Sequence, residues 1–115
     1  MYYLFADEPE VWPNVVPLVK DLALAPRAGT VLDAPRATIM NVGIRVRTTG
    51  TLNAVLEEFD GADWIARDRT ECLGGDTLWH HQLRHPEFRL RLENPSPDGE
   101  VTVSIDLNMP QRPEP

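Results

Sequence analysis

A chain of 115 residues with 42% hydrophobic content can form one domain around one core. Eighteen Asp and Glu against eleven Lys and Arg leave a formal charge of −7, which excludes the basic surface on which nucleic-acid binding by phosphate neutralisation depends. One cysteine, Cys72, excludes an intramolecular disulfide and a cysteine-rich zinc site, and no stretch approaches the roughly 18–20 apolar residues of a membrane-spanning helix.

The N-terminus turns acidic after Met1-Tyr2-Tyr3-Leu4-Phe5 and lacks the charged start and apolar length of a signal peptide, so a cytoplasmic protein is expected. Tyr2–Phe5 is aromatic and short, bounded by Asp7-Glu8-Pro9, and reads as a first strand. Trp12, flanked by prolines and acids, is the best candidate for an exposed anchor. With Asn14 as N-cap, Pro17 falls in the first helical turn, where it is tolerated. Val15, Leu18, Val19 and Leu22 then form one apolar stripe, which predicts a helix over residues 15–24. Residues 25–36 read as a long, proline-punctuated loop with a short extended piece at Thr30-Val31-Leu32, and as a candidate contact surface.

From Thr38 to Thr48 the pattern alternates, Met40, Val42, Ile44 and Val46 against Asn41, Gly43, Arg45 and Arg47, which is a half-buried strand. Thr51 can cap a second short helix, because Leu52, Val55, Leu56 and Phe59 stand at i, i+3, i+4 and i+7. Asp60-Gly61 would end it, placing Glu57, Glu58, Asp60 and Asp63 where the helix dipole disfavours negative charge. Those four acids are the candidate binding patch for a basic partner. The Asp60–Asp63 segment is too short for a calcium loop.

Trp64–Thr70 reads as a strand, and Leu73-Gly74-Gly75-Asp76 as the turn of a hairpin with Thr77–Leu83. Phe88–Glu93 alternates, and Asn94–Gly99 turns it into a second hairpin with Val101–Met109. That last segment alternates without a fault, Val101, Val103, Ile105, Leu107 and Met109 against Thr102, Ser104, Asp106 and Asn108. Arg45 and Arg47 are expected to share a face with Arg89 and Arg91, pairing with Glu93 and Asp106. Residues 110–115 are a proline-rich, flexible tail.

Three histidines cluster at His80, His81 and His85. A helix would put His81 and His85 on one face, but on a strand they stand about 13 Å apart at about 3.3 Å per residue, too far to share a metal. Cys72 beside Gly74-Gly75 could be a nucleophile with a histidine base, although a lone cysteine more often fills space. No HExxH, G-x-S-x-G, P-loop or dinucleotide fingerprint is present.

These readings combine into an α+β fold over residues 1–109, with two short helices on one face of a mostly antiparallel sheet of about five to six strands. The expected function is a small acidic module that binds another protein, a basic one by charge, as an inhibitor or immunity-type protein, with no cofactor, nucleic acid or membrane. The alternatives are a phage or accessory assembly protein, and a small metal-dependent or hydrolytic enzyme using His80, His81 and His85.

Overall fold

The computed structural model describes residues 15–110. The expected strand at Tyr2–Phe5, the anchor Trp12 and the tail beyond Pro110 lie outside them.

The described residues form eight strands and no helix, which overturns the α+β expectation. They are β1 (Val15–Leu24), β2 (Gly29–Asp33), β3 (Asn41–Thr48), β4 (Leu52–Phe59), β5 (Trp64–Cys72), β6 (Gly75–Gln82), β7 (Phe88–Glu93) and β8 (Val101–Asn108). Two antiparallel four-stranded sheets stack face to face, in the orders β1-β8-β3-β6 and β2-β7-β4-β5. Every connection except β4–β5 crosses from one sheet to the other, which is the double-sheet jelly-roll arrangement.

Both expected helices are strands. In β1 the register against β8 shifts between Pro17 and Val19 and again between Val19 and Leu22, and Asp21 takes a left-handed φ of 52°. These register shifts break the two-residue period, so the core-packed residues are Val16, Leu18, Val19, Leu22 and Leu24, of which Leu18, Val19 and Leu22 imitate a helical stripe, while Val15 is 46% exposed. Pro17 is accommodated because β1 is an edge strand. In β4 the inward residues are Leu52, Ala54, Leu56 and Glu58, all at most 1% exposed. Val55 gave the false helical spacing: it faces outward on the strand but is covered by its register neighbours Arg69 and Arg91.

The expected hairpins also change. Gly74 and Gly75, with φ of 107° and 79°, carry the chain from β5 in one sheet to β6 in the other, and 94–99 carries β7 across to β8. The hairpin that forms is β4–β5, whose tip uses Gly61 at φ 104°. β8 is as the alternation predicts: Val101, Val103, Ile105, Leu107 and Met109 are buried between the sheets. It lies centrally, between β1 and β3. The 94–99 arch is fastened by fully buried Asn94, whose amide donates to the carbonyls of Leu24, Ala25 and Gly99 and whose Oδ1 accepts from the Ser96 N–H.

The arginine face divides between the sheets. Arg45 lies opposite Asp106 and Arg47 pairs with Asp76 on the β1-β8-β3-β6 sheet, while Arg89 and Arg91 lie on the other and pair with Glu57. Among the described residues no helix is long and apolar enough to cross a membrane.

Candidate functional site

β4 ends in two successive glutamates, and strand pleating sends them to opposite faces of the sheet. Glu58 points into the sandwich and is 1% exposed. Its Oε2 lies 2.9 Å from His81 Nε2, and its Oε1 lies 3.2 Å from His85 Nδ1 while accepting the N–H groups of Arg84 and His85 at 3.1 and 3.0 Å. Arg67 Nε stands 3.7 Å away. His81 is held from its other side by Asp68, 3.5 Å from Nδ1, and Asp68 also accepts the Trp79 indole N–H at 2.8 Å. Burial raises the Glu58 pKa, but the donors from His81, Arg84 and His85 outweigh it and hold the carboxyl below its ordinary range. The same balance of burial against the Trp79 and Arg69 donors lowers Asp68.

β6 ends at Gln82, and the turn that follows folds His85 back onto the carboxylate His81 reaches, so the expected separation along a single strand does not hold. Glu58 is nevertheless encircled by N–H donors and a guanidinium, and among the described residues no group of three or more His, Cys, Asp and Glu is arranged to hold a metal ion. The cluster is a clamp that ties β4, β5, β6 and the β6–β7 connection together.

Glu57 faces outward yet is only 7% exposed, because Arg89 Nε donates to one of its oxygens at 2.7 Å and Arg91 Nε to the other at 3.1 Å. Burial raises its pKa, and these two arginines more than compensate, lowering it. Arg89 in turn lies 4.1 Å above the centre of the Trp64 ring, whose other neighbour is Phe59 at 5.2 Å between ring centres. Trp64, half-buried, borders an open depression of ≈ 440 Å³ with Asp33, Ala34, Arg36, Glu87 and Phe88.

The four candidate acids therefore separate. Glu57 on the outer face and Glu58 on the inner are both buried and have partners within the chain, and among the described residues no helix end exists for any of the four. Asp60 and Asp63 are exposed at the β4–β5 tip, beside Trp64. Asp60 Oδ1 accepts the N–H groups of Ala62 and Asp63, both at 2.8 Å, and these bonds lower its pKa. The Phe59 N–H donates to the Glu87 carbonyl, which brings Glu87 to the same end of the sheet. Asp33, Asp60, Asp63 and Glu87 thus lie at the same end of the sheet as Trp64, where the Arg36 guanidinium donates to Glu87 at 3.0 Å.

His80 is exposed on the outer face of β6, away from the clamp. Cys72 is fully buried, and burial pushes its thiol pKa up despite a hydrogen bond with Thr77, the opposite of an activated nucleophile. The sequence marks Arg89 only as part of an arginine face and gives no sign of a site at Trp64, Arg67 or Asp68. The available signal was a pair of glutamates closing a segment whose inward positions are otherwise apolar.

No family model matches the sequence, and no curated protein matches it. Among solved structures, the crystal structure of PirA is similar to this chain in fold, with a TM-score of 0.52 and 12% identity over 90% of this chain and 98% of that one.

Proposed function

We propose that the chain is a protein-binding module that takes a basic segment of its partner at the end of the β2-β7-β4-β5 sheet, in the manner of an inhibitor or immunity-type protein. The observation that carries this reading is Trp64, a half-buried aromatic immobilised by Arg89 and Phe59 beside a depression it shares with Asp33 and the Arg36–Glu87 pair, with the exposed Asp60 and Asp63 at the adjoining β4–β5 tip. Tryptophan and arginine anchors dominate binding energies at protein interfaces, and an anchor already held in place loses little conformational freedom on binding. Acids around it favour encounter with lysine or arginine side chains. The overall charge of −7 acts in the same direction.

The test is affinity capture from native lysate with quantitative mass spectrometry, using wild type and Trp64→Ala as paired baits. A basic protein retained by wild type and lost from Trp64→Ala, with both baits equally folded, is the expected result. Identical recovery on both baits would remove Trp64 from the interface and with it this reading.

A further inference from the structure

A cation of the chain itself already sits at the docking end. Arg36, in the segment between β2 and β3, donates from Nη1 to Glu87 Oε1 at 3.0 Å, and both residues line the depression beside Trp64. Backbone bonds on either side of Arg36 put it there. The Ala34 N–H donates to the Phe88 carbonyl at 3.2 Å, and the Ala37 N–H to the Pro86 carbonyl at 2.9 Å. A pinned backbone thus delivers the guanidinium to Glu87, and the side chain alone can swing away while both backbone bonds stay made.

Little holds it in place. The side chains of Arg36 and Glu87 are 66% and 50% exposed, and a pair in solvent is worth about 0–1 kcal/mol, no more than about a fivefold factor in a binding constant. Exposed Asp33 adds a second carboxylate to the lining, so two carboxylates stand against one guanidinium. The same end of the sheet also shows which cation suits it. Arg89 lies 4.1 Å above the centre of the Trp64 ring while donating to Glu57 at 2.7 Å, one guanidinium serving an indole and a carboxylate together. A planar guanidinium does both, whereas an ammonium has no flat face to lay on a ring.

We propose that the depression is an arginine subsite and that Arg36 is its internal competitor. An arginine side chain of the partner replaces Arg36 on Glu87, with Asp33 as the second carboxylate and the Trp64 indole beside it, and Arg36 moves out into solvent. This rests on the protein-binding reading above, and adds to it the side chain that the partner inserts and a brake on its binding that the chain carries itself.

The test titrates the full chain with N-acetyl-arginine amide and follows the Trp64 indole N–H by two-dimensional NMR, the signal being identified by its loss in Trp64→Phe. Arg36→Ala should bind this probe about two- to fivefold more tightly than wild type. Arg47→Ala breaks an equally exposed pair with Asp76 on the other sheet and changes the net charge by the same amount, so it should bind as wild type does. N-acetyl-lysine amide should bind more weakly than the arginine probe, and Asp33→Asn/Glu87→Gln should lose the response. An indole signal that moves in neither wild type nor Arg36→Ala would overturn the proposal, as would equal affinity in those two proteins or equal tightening in Arg47→Ala. Arg36→Ala as a third bait in the lysate capture separates the two readings. Capture that depends on Trp64 but does not rise with Arg36→Ala refutes the competitor alone, and capture indifferent to Trp64 refutes the docking site itself.

Discussion

Replacing Glu58 is the sharpest test of the clamp inside the sandwich. Glu58→Leu fits the same space but removes both acceptor oxygens, leaving the Arg84 and His85 N–H groups, two imidazoles and Arg67 without the carboxylate they face. Each donor left unsatisfied costs about 1–3 kcal/mol, and breaking a buried ion pair from one side costs about 3–5 kcal/mol. These terms overlap, so the expected loss for Glu58→Leu is about 3–5 kcal/mol, and about 1–3 kcal/mol for Glu58→Gln, which keeps one acceptor. Because Glu58 is 1% exposed, solvent screening does not reduce the first figure. Urea unfolding at pH 7 measures it, with the slope unchanged from wild type if the native state stays intact. The titration gives a second reading. Glu58 has its pKa lowered from 4.5 in the fold, so over the window beneath 4.5 the unfolded state binds more protons. Its contribution is present above that value and is lost as pH falls through the lower folded pKa. Wild type should therefore lose stability on acidification more steeply than Glu58→Gln. If Glu58→Leu unfolds within about 1 kcal/mol of wild type, the donors are satisfied elsewhere and the clamp is not what joins these elements.

Three further outcomes are expected. Ile105→Asp should abolish the cooperative thermal transition, because it places a charge at a 0% exposed position of a central strand, whereas Asp106→Asn, on the outer face, should shift the melting temperature only slightly. Asn94→Ala should destabilise by about 2–4 kcal/mol in urea unfolding, since three carbonyls and the Ser96 N–H lose their partner at once. Once a basic partner is identified, Asp60→Lys/Asp63→Lys should slow association more than it speeds dissociation in stopped-flow measurements, and the wild-type association rate should fall as salt rises.

The strands visible in the sequence are those whose inward positions are uniformly apolar. β8 and β3 alternate cleanly because they sit centrally in one sheet, with one face on the core and one polar face outward. β4 was misread because Glu58, an inward residue, breaks the apolar series just where Val55, an outward one, supplies a false helical contact. β1 looks helical because its register shifts break period two and turn both Leu18 and Val19, followed by Leu22, towards the core. The turns at Gly74-Gly75 and 94–99 were recognised as turns, but a turn sequence does not specify whether its strands pair or cross between sheets. The docking end was half legible: Asp60 and Asp63 lie there, while Trp64 and Arg89, 25 positions apart in sequence, meet only through the β4-centred order of their sheet.

β1 has a single neighbour, β8, with Val15 opposite Asn108 and Leu24 opposite Val101. A ribosome delivers β1 first, and its partner emerges only when almost the entire described fold has been made. Until then the apolar residues Val16, Leu18, Val19 and Leu22 have no sheet to join. Loop-closure entropy is met before such distant pairings are rewarded, which places this chain among the slower-folding β topologies. A stop codon anywhere ahead of β8 would therefore release a product in which β1, the first of the described strands, has no partner and the core is incomplete.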